Sequence, residues 1–299
     1  MQQPGFLHSH CRKEIPKRNP LAMDEKNLVD VTKNYYDSAD ADAFYHLVWG
    51  GEDIHIGIYD SDDDSIRAAS ARSVEKMVQT LPPLSEQHHL LDMGSGYGGA
   101  ARYLAKEFGC QVTCLNLSET ENKRNREKTA AAGLQNRLTV EEGNFEEMPY
   151  PDAHFDVVWC QDSILHSSRK AAVIAEVARV LKRGGHFIFT DPMQSDQCPE
   201  GVLDPILDRI HLEEMGSVAL YRKLAEKNGL EERLIQEMPL QLVQHYTRVK
   251  QELEKNRAQL AGRCSEAYID KMLKGLNHWI EGGKAGYLNW GILHFQKAD

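Results

Sequence analysis

Residues 89–100, His-Leu-Leu-Asp-Met-Gly-Ser-Gly-Tyr-Gly-Gly-Ala, set one acid beside four glycines. Leu90 and Leu91 run into Asp92, then into Gly94, Gly96, Gly98 and Gly99, and helix-forming residues 100–106 follow. That order reads as strand, tight turn and helix. Glycine admits a ligand where a β-carbon would collide, and a helix N-terminus offers free N–H groups and a positive dipole end. The turn therefore suits a nucleotide-like ligand. Farther on, Asp156, Val157, Val158 and Trp159 read as a strand whose carboxyl end emits Cys160, Gln161 and Asp162, with His166 shortly after. In open α/β sheets the ligand crevice lies outside those carboxyl ends, so Asp162 and His166, both able to hold or move a proton, are expected at the site mouth.

The elements that must position these residues alternate strand and helix, which predicts an α/β fold with a doubly wound, mostly parallel sheet. Residues 111–117 form a second strand. Its end, where such folds usually place an acid against ribose hydroxyls, carries Asn116, Leu117 and Ser118; an asparagine can still bond a hydroxyl. Residues 119–131 read as a charged helix and 138–142 as a third strand, ending at Asn144 and Phe145. Phe145 could stack on an adenine while Asn144 reads its edge, or the two could be a core ring and a turn residue. An amphipathic helix over 171–181 and a fifth strand over 186–190 complete a core spanning 85–195. Beyond it, helices over 203–215, 218–228, 240–260 and 266–281, with strands over 234–238 and 286–296, predict that residues 196–299 form a helical cap insertion and the last strands.

Upstream, residues 27–84 read as a helical and aromatic lid: a short helix over 28–36, then Phe44, Tyr45, His46 and Trp49, then a glycine loop. The rings could simply pack, or could close over the site and face a cation. The stretch 60–64 is a solvated acidic loop, and a helix over 66–80 stops before Pro82 and Pro83. Residues 1–26 carry Arg12, Lys13, Lys17 and Arg18 among scattered prolines and are expected to be a flexible tail.

With 299 residues, 41% apolar and 27% charged, the chain is long enough for one large core with a cap. A formal net charge of -10, without a basic patch, argues against nucleic acid as a partner. Six scattered cysteines show neither disulfide-framework nor C-x-x-C spacing, which suits a reducing, cytoplasmic setting. No apolar run reaches membrane-spanning length.

Gly94, Gly96 and Gly99 also satisfy the G-x-G-x-x-G pattern of dinucleotide sites. Asp92, two residues ahead of the first glycine, separates the readings: the turn resembles the first motif of class I S-adenosylmethionine-dependent methyltransferases. With residues 152–159 and 181–191 in the same order and spacing, the resemblance covers roughly residues 85–195. It implies a seven-stranded Rossmann-like sheet and S-adenosylmethionine as co-substrate. It sets Asp92, Gly94, Ser95, Gly96, Asn116, Leu117, Asn144, Phe145 and Gln161 around that co-substrate. A closer resemblance lies in residues 34–57 and 161–166, which are similar to sarcosine and dimethylglycine N-methyltransferases and more distantly to phosphoethanolamine N-methyltransferases. Sarcosine and dimethylglycine, with glycine betaine as product, are the implied chemistry. Phosphoethanolamine, another small amine, or cofactor binding without catalysis are the alternatives.

Methyl transfer from a sulfonium to an amine is an in-line displacement, so the enzyme chiefly positions a neutral nitrogen and excludes water. No metal is needed for that, and the histidines lack ligand spacing. An alkylamine with a pKa of ~10 is mostly protonated at neutral pH, so a proton acceptor is useful. In the phosphoethanolamine enzymes a tyrosine and a histidine form a dyad over the co-substrate. The resemblance carries those roles to His166 and Tyr36, with Tyr35 as the fallback, and assigns Asp162 to the cationic amine. His166 could otherwise be a helix-start residue bonded to a loop. A quaternary ammonium product can be stabilised only by charge and ring faces, which Tyr45, Trp49 and Tyr36 could supply. The acceptor's carboxylate also needs a partner, and Arg209, His211 and Arg222 all remain open.

Overall fold

The computed structural model describes residues 25–212 and 214–299; the expected basic tail falls almost wholly outside them, and Cys11 with it. Within the described chain, α1 (Glu25–Tyr36), α2 (Ala39–Leu47) and α3 (Ile66–Val78) precede β1 (His89–Met93). Then come α4 (Gly99–Phe108), β2 (Gln111–Asn116), α5 (Glu119–Ala131), β3 (Leu138–Glu142) and β4 (Phe155–Gln161). A single 3₁₀ turn, Ile164–His166, leads to α6 (Lys170–Val180), β5 (Leu181–Thr190) and the short β6 (Met193–Gln194). The last part holds α7 (Asp204–Ile210), α8 (Val218–Lys227), β7 (Leu230–Glu237), α9 (Pro239–Leu260), α10 (Glu266–Lys284), β8 (Leu288–Asn289) and β9 (Gly291–Lys297).

Seven strands form one sheet in the order β3-β2-β1-β4-β5-β9-β7, while β6 and β8 pair separately. Pairings from β3 through β5 are parallel, and β9 runs antiparallel to both β5 and β7. Alternation along β1 shows why the sheet is buried on both faces. Leu90 packs with Val74 and Met77 of α3 and Leu104 of α4, whereas Leu91 packs with Val173 and Val177 of α6 and Leu224 of α8. Five helices begin at a serine, Ser38, Ser65, Ser118, Ser217 and Ser265, whose hydroxyl accepts an otherwise unpaired N–H of the first turn.

A third apolar cluster stands apart from the sheet. It joins Phe44, Tyr45, Val48 and Trp49 to Leu207, Tyr246, Leu276 and Trp279. The residues before β1, helix α7 and the helices between β7 and β9 thus bury one another over the sheet's carboxyl edge. The helix expected over 203–215 is shorter: it ends at Ile210 because His211 takes the left-handed conformation, φ 58°, and breaks the ladder. No described helix is long and apolar enough to cross a membrane.

Candidate active site

The glycine turn follows β1 directly, and Gly94 and Gly96 adopt positive φ, 73° and 49°. The glycines of the turn also make room for the protein itself. A β-carbon on Gly94 would meet the Ser163 hydroxyl, one on Gly98 the Asn125 amide, and one on Gly99 the Asp53 carboxylate and the Glu52 carbonyl. Three glycines therefore let the chain pack on itself. Only Gly96, with Ile54 as its nearest neighbour at 3.5 Å, leaves ordinary space.

Above the carboxyl ends of β1, β2, β3 and β4 lies a cavity of about 100 Å³, roofed by Val29, Thr32, Lys33 and Tyr36 of α1. Asp92, Gly94, Ser95, Gly96, Asn116, Leu117, Asn144, Phe145 and Gln161 all line it, as expected. Asp92 is 4% exposed, and no donor of the described chain reaches its carboxylate. Burial, and then the neighbouring Asp53, push its pKa up to about 7. Gln161 is held by Trp159, whose indole N–H donates to its oxygen at 3.0 Å. Asn144 also serves its turn, accepting the Glu146 N–H at 2.9 Å.

Sequence reasoning missed Glu121. It lines this cavity from the first turn of α5 and accepts from the Asn116 amide at 2.9 Å, so a carboxylate stands where β2 ends without one. Ser118 followed by Glu121 is a capping-box spacing, which was its available signal. Asp53 and Ile54 were missed too, since a loop far upstream gives no hint that it folds against the glycine turn.

A second cavity, about 330 Å³, opens among α1, α2, α7, α9 and α10. Tyr45 and Trp49 line it as expected, with ring centroids 5.3 Å apart, and Tyr36 stacks on Tyr45 at 5.7 Å. Tyr246, Tyr268 and Trp279 add rings from the cap. Aromatic residues on long helices read as core, so periodicity could not single them out.

Thr32, Tyr36, Ile54, Asp162 and His166 line both cavities. Asp162 and His166 thus stand at an internal junction, not at an outer mouth. The Tyr36 hydroxyl lies 2.9 Å from His166 Nε2, so the expected dyad is formed. Tyr35, the fallback, instead meets the hydroxyls of Tyr45 and Tyr268. Burial, and then the charge of Lys170, push His166 down to about 4, so its ring is neutral at neutral pH. The 3₁₀ turn carrying it is pinned by Asp191, which accepts the Leu165 N–H at 2.8 Å and the Tyr221 hydroxyl at 2.6 Å.

Asp162 takes a left-handed φ of 53°. Its carboxylate accepts from the Ile56 N–H at 2.6 Å, the Thr190 hydroxyl at 2.7 Å and the Trp290 indole at 2.8 Å. It therefore ties the lid to the ends of β5 and β8, with little free capacity for an amine. Arg222 pairs with Glu232 away from the site, while Arg209 and His211 line the second cavity. Among the described residues no three metal-ligating side chains gather.

Residues 91–189 match a family model described as a methyltransferase domain. A sarcosine/dimethylglycine N-methyltransferase of Halorhodospira halochloris is 50% identical, covering 92% of this chain and 98% of that one. Among solved structures, a candidate sarcosine dimethylglycine methyltransferase from Galdieria sulphuraria superposes with a TM-score of 0.85 at 47% identity, over 89% of this chain and 99% of that one. A phosphoethanolamine N-methyltransferase of Haemonchus contortus, solved with S-adenosylhomocysteine, shares the fold at a TM-score of 0.78 and 18% identity, over 94% of this chain and 62% of that one. With an intact glycine turn, a tyrosine–histidine pair at the junction of two cavities and about half of all positions identical to the Halorhodospira and Galdieria proteins over nearly their full length, the chain belongs to the sarcosine/dimethylglycine N-methyltransferase family.

Proposed function

We propose that this protein methylates the nitrogen of sarcosine and dimethylglycine at the junction of its two cavities, with S-adenosylmethionine in the first, and so makes glycine betaine. The observation that carries this reading is the Tyr36–His166 pair on the wall shared by both cavities. Bound S-adenosylmethionine supplies an electrophilic methyl group on a sulfonium. The first cavity fits it: a buried, undonated Asp92 beside Asp53 suits an ammonium group, Glu121 and Asn116 suit a ribose diol, and Phe145 offers a ring face.

In the second cavity Tyr36, Tyr45 and Trp49 face the substituted amine and stabilise its growing cationic character by ring faces. The Tyr36 hydroxyl donates to neutral His166, which turns the phenol's lone pairs toward the acceptor. The phenol oxygen then takes the N–H of sarcosine and sets a negative dipole against the cationic nitrogen that forms from either acceptor, the proton of the ammonium form having been lost to solvent before attack. Asp162 works by position, holding the Ile56 segment and the Trp290 indole around the junction. Displacement at a sulfonium needs alignment and no Lewis acid. The five described cysteines are free thiols, which supports a reducing, cytoplasmic compartment.

Methyl transfer from labelled S-adenosylmethionine to glycine, sarcosine, dimethylglycine, phosphoethanolamine and ethanolamine tests the reading. Label confined to sarcosine and dimethylglycine is expected. Label on phosphoethanolamine alone would overturn it.

A further inference from the structure

Basic side chains line the acceptor cavity beside its rings, and one of them, Arg209, has an unusual setting next to Tyr246 and Tyr268. Arg209, the penultimate residue of α7, lays its guanidinium across α10 at Gly275, where any β-carbon would overlap it. Gly275 is buried in a helix interior, a place where glycine is disfavoured unless something needs the space. One turn earlier, Met272 accepts a hydrogen bond from Arg209 Nη2 at 2.9 Å through its thioether, a weak acceptor. Among the described residues no carboxylate lies within ion-pair distance of Arg209. The two acids lining the cavity are engaged elsewhere: Asp162 by three donors, and Asp40 by the backbone and hydroxyl of Ser265. A guanidinium thus faces the cavity with most of its five donors unspent.

We infer that Arg209 binds the acceptor's carboxylate, seated by Gly275, and so makes the enzyme select amino acids over plain amines; this rests on the methyl-acceptor reading above. Arg209 and the Tyr36–His166 dyad lie on the walls of one 330 Å³ cavity. A molecule with its nitrogen at the dyad and its carboxylate at the guanidinium is held at both ends. Lys271 and His211 are exposed on the same wall and can add long-range attraction without a fixed fork.

The test compares dimethylglycine with its methyl ester, which keeps the amine and removes the negative charge. Loss of a charge-assisted, two-pronged hydrogen bond is expected to raise KM for dimethylglycine by ~50-fold or more in Arg209→Gln. KM for the ester should stay near the wild-type value, as should S-adenosylmethionine affinity. Gly275→Ala keeps every charge and favours the helix, yet must displace the guanidinium; it should raise KM for the acid without lowering Tm. Acid-over-ester preference that survives both variants would overturn the assignment, as would a KM that moves with Lys271→Ala and not with Arg209→Gln. A wild type inactive on dimethylglycine would instead refute the function itself, before any variant is measured.

Discussion

At the scale of single residues, the site turns on which protons are where. His166 carries its proton only below about pH 4, because burial and Lys170 oppose the imidazolium. At saturating S-adenosylmethionine, kcat/KM for dimethylglycine should then show no inflection near pH ~6.5, where an ordinary histidine titrates. The acceptor's own ammonium, with a pKa of ~10, sets the profile: raising the pH frees the amine, so kcat/KM should climb up to about tenfold per unit between pH 6 and 9. A pH–rate profile checks both statements, and an acid limb centred near ~6.5 that disappears in His166→Ala would assign the imidazole a different state, since burial pushes Asp191 up to about 7 as well. The Asp162 carboxylate makes a stability prediction. In Asp162→Asn one oxygen becomes an amide NH₂ facing a donor, while the left-handed backbone remains tolerable. The variant should lose about 1–3 kcal/mol, read from the urea midpoint.

At the scale of elements, the loop before α3 is the piece the glycine turn was shaped to receive. Gly99→Ala would press a β-carbon into the Glu52 carbonyl and Asp53. Because backbone cannot step aside cheaply, we expect a loss of about 1–3 kcal/mol in thermal or urea unfolding and weaker S-adenosylmethionine binding by calorimetry. This contact also marks where the sequence stops being legible. Strands such as residues 111–116 and 138–142, and the helix at residues 119–131, declare themselves by periodicity and punctuation, since each is decided by its own neighbours in the chain. Asp53, 46 residues from Gly99, is decided by tertiary packing, which local pattern does not encode. The same holds for the cap: α9 and α10 were legible as helices, but which of their rings face a cavity depends on a crossing between elements. Resemblance to a family supplied Tyr36, and Glu121 stayed hidden behind an ordinary capping serine.

At the scale of the molecule, three bodies of packing meet over one sheet edge: the sheet with its helices, the lid before β1, and the cap between β7 and β9. The first cavity is floored by the sheet edge and roofed by α1. Ligand in this cavity packs against α1, and its binding should stabilise that helix. We expect backbone amides of residues 29–36 to exchange more slowly with sinefungin or S-adenosylhomocysteine bound, while β4 in the sheet centre changes little. Hydrogen-exchange mass spectrometry resolves the two segments, and equal protection of both would show global stabilisation in place of a closing roof.

The most direct test of the central claim is single-turnover methyl transfer to dimethylglycine in Tyr36→Phe and His166→Ala, with S-adenosylmethionine prebound and its affinity measured separately. We expect roughly a hundredfold or greater slowing in each, a double variant no slower than the worse single one, and unchanged cofactor affinity. Wild-type rates with intact binding would contradict it and remove the dyad from the reaction.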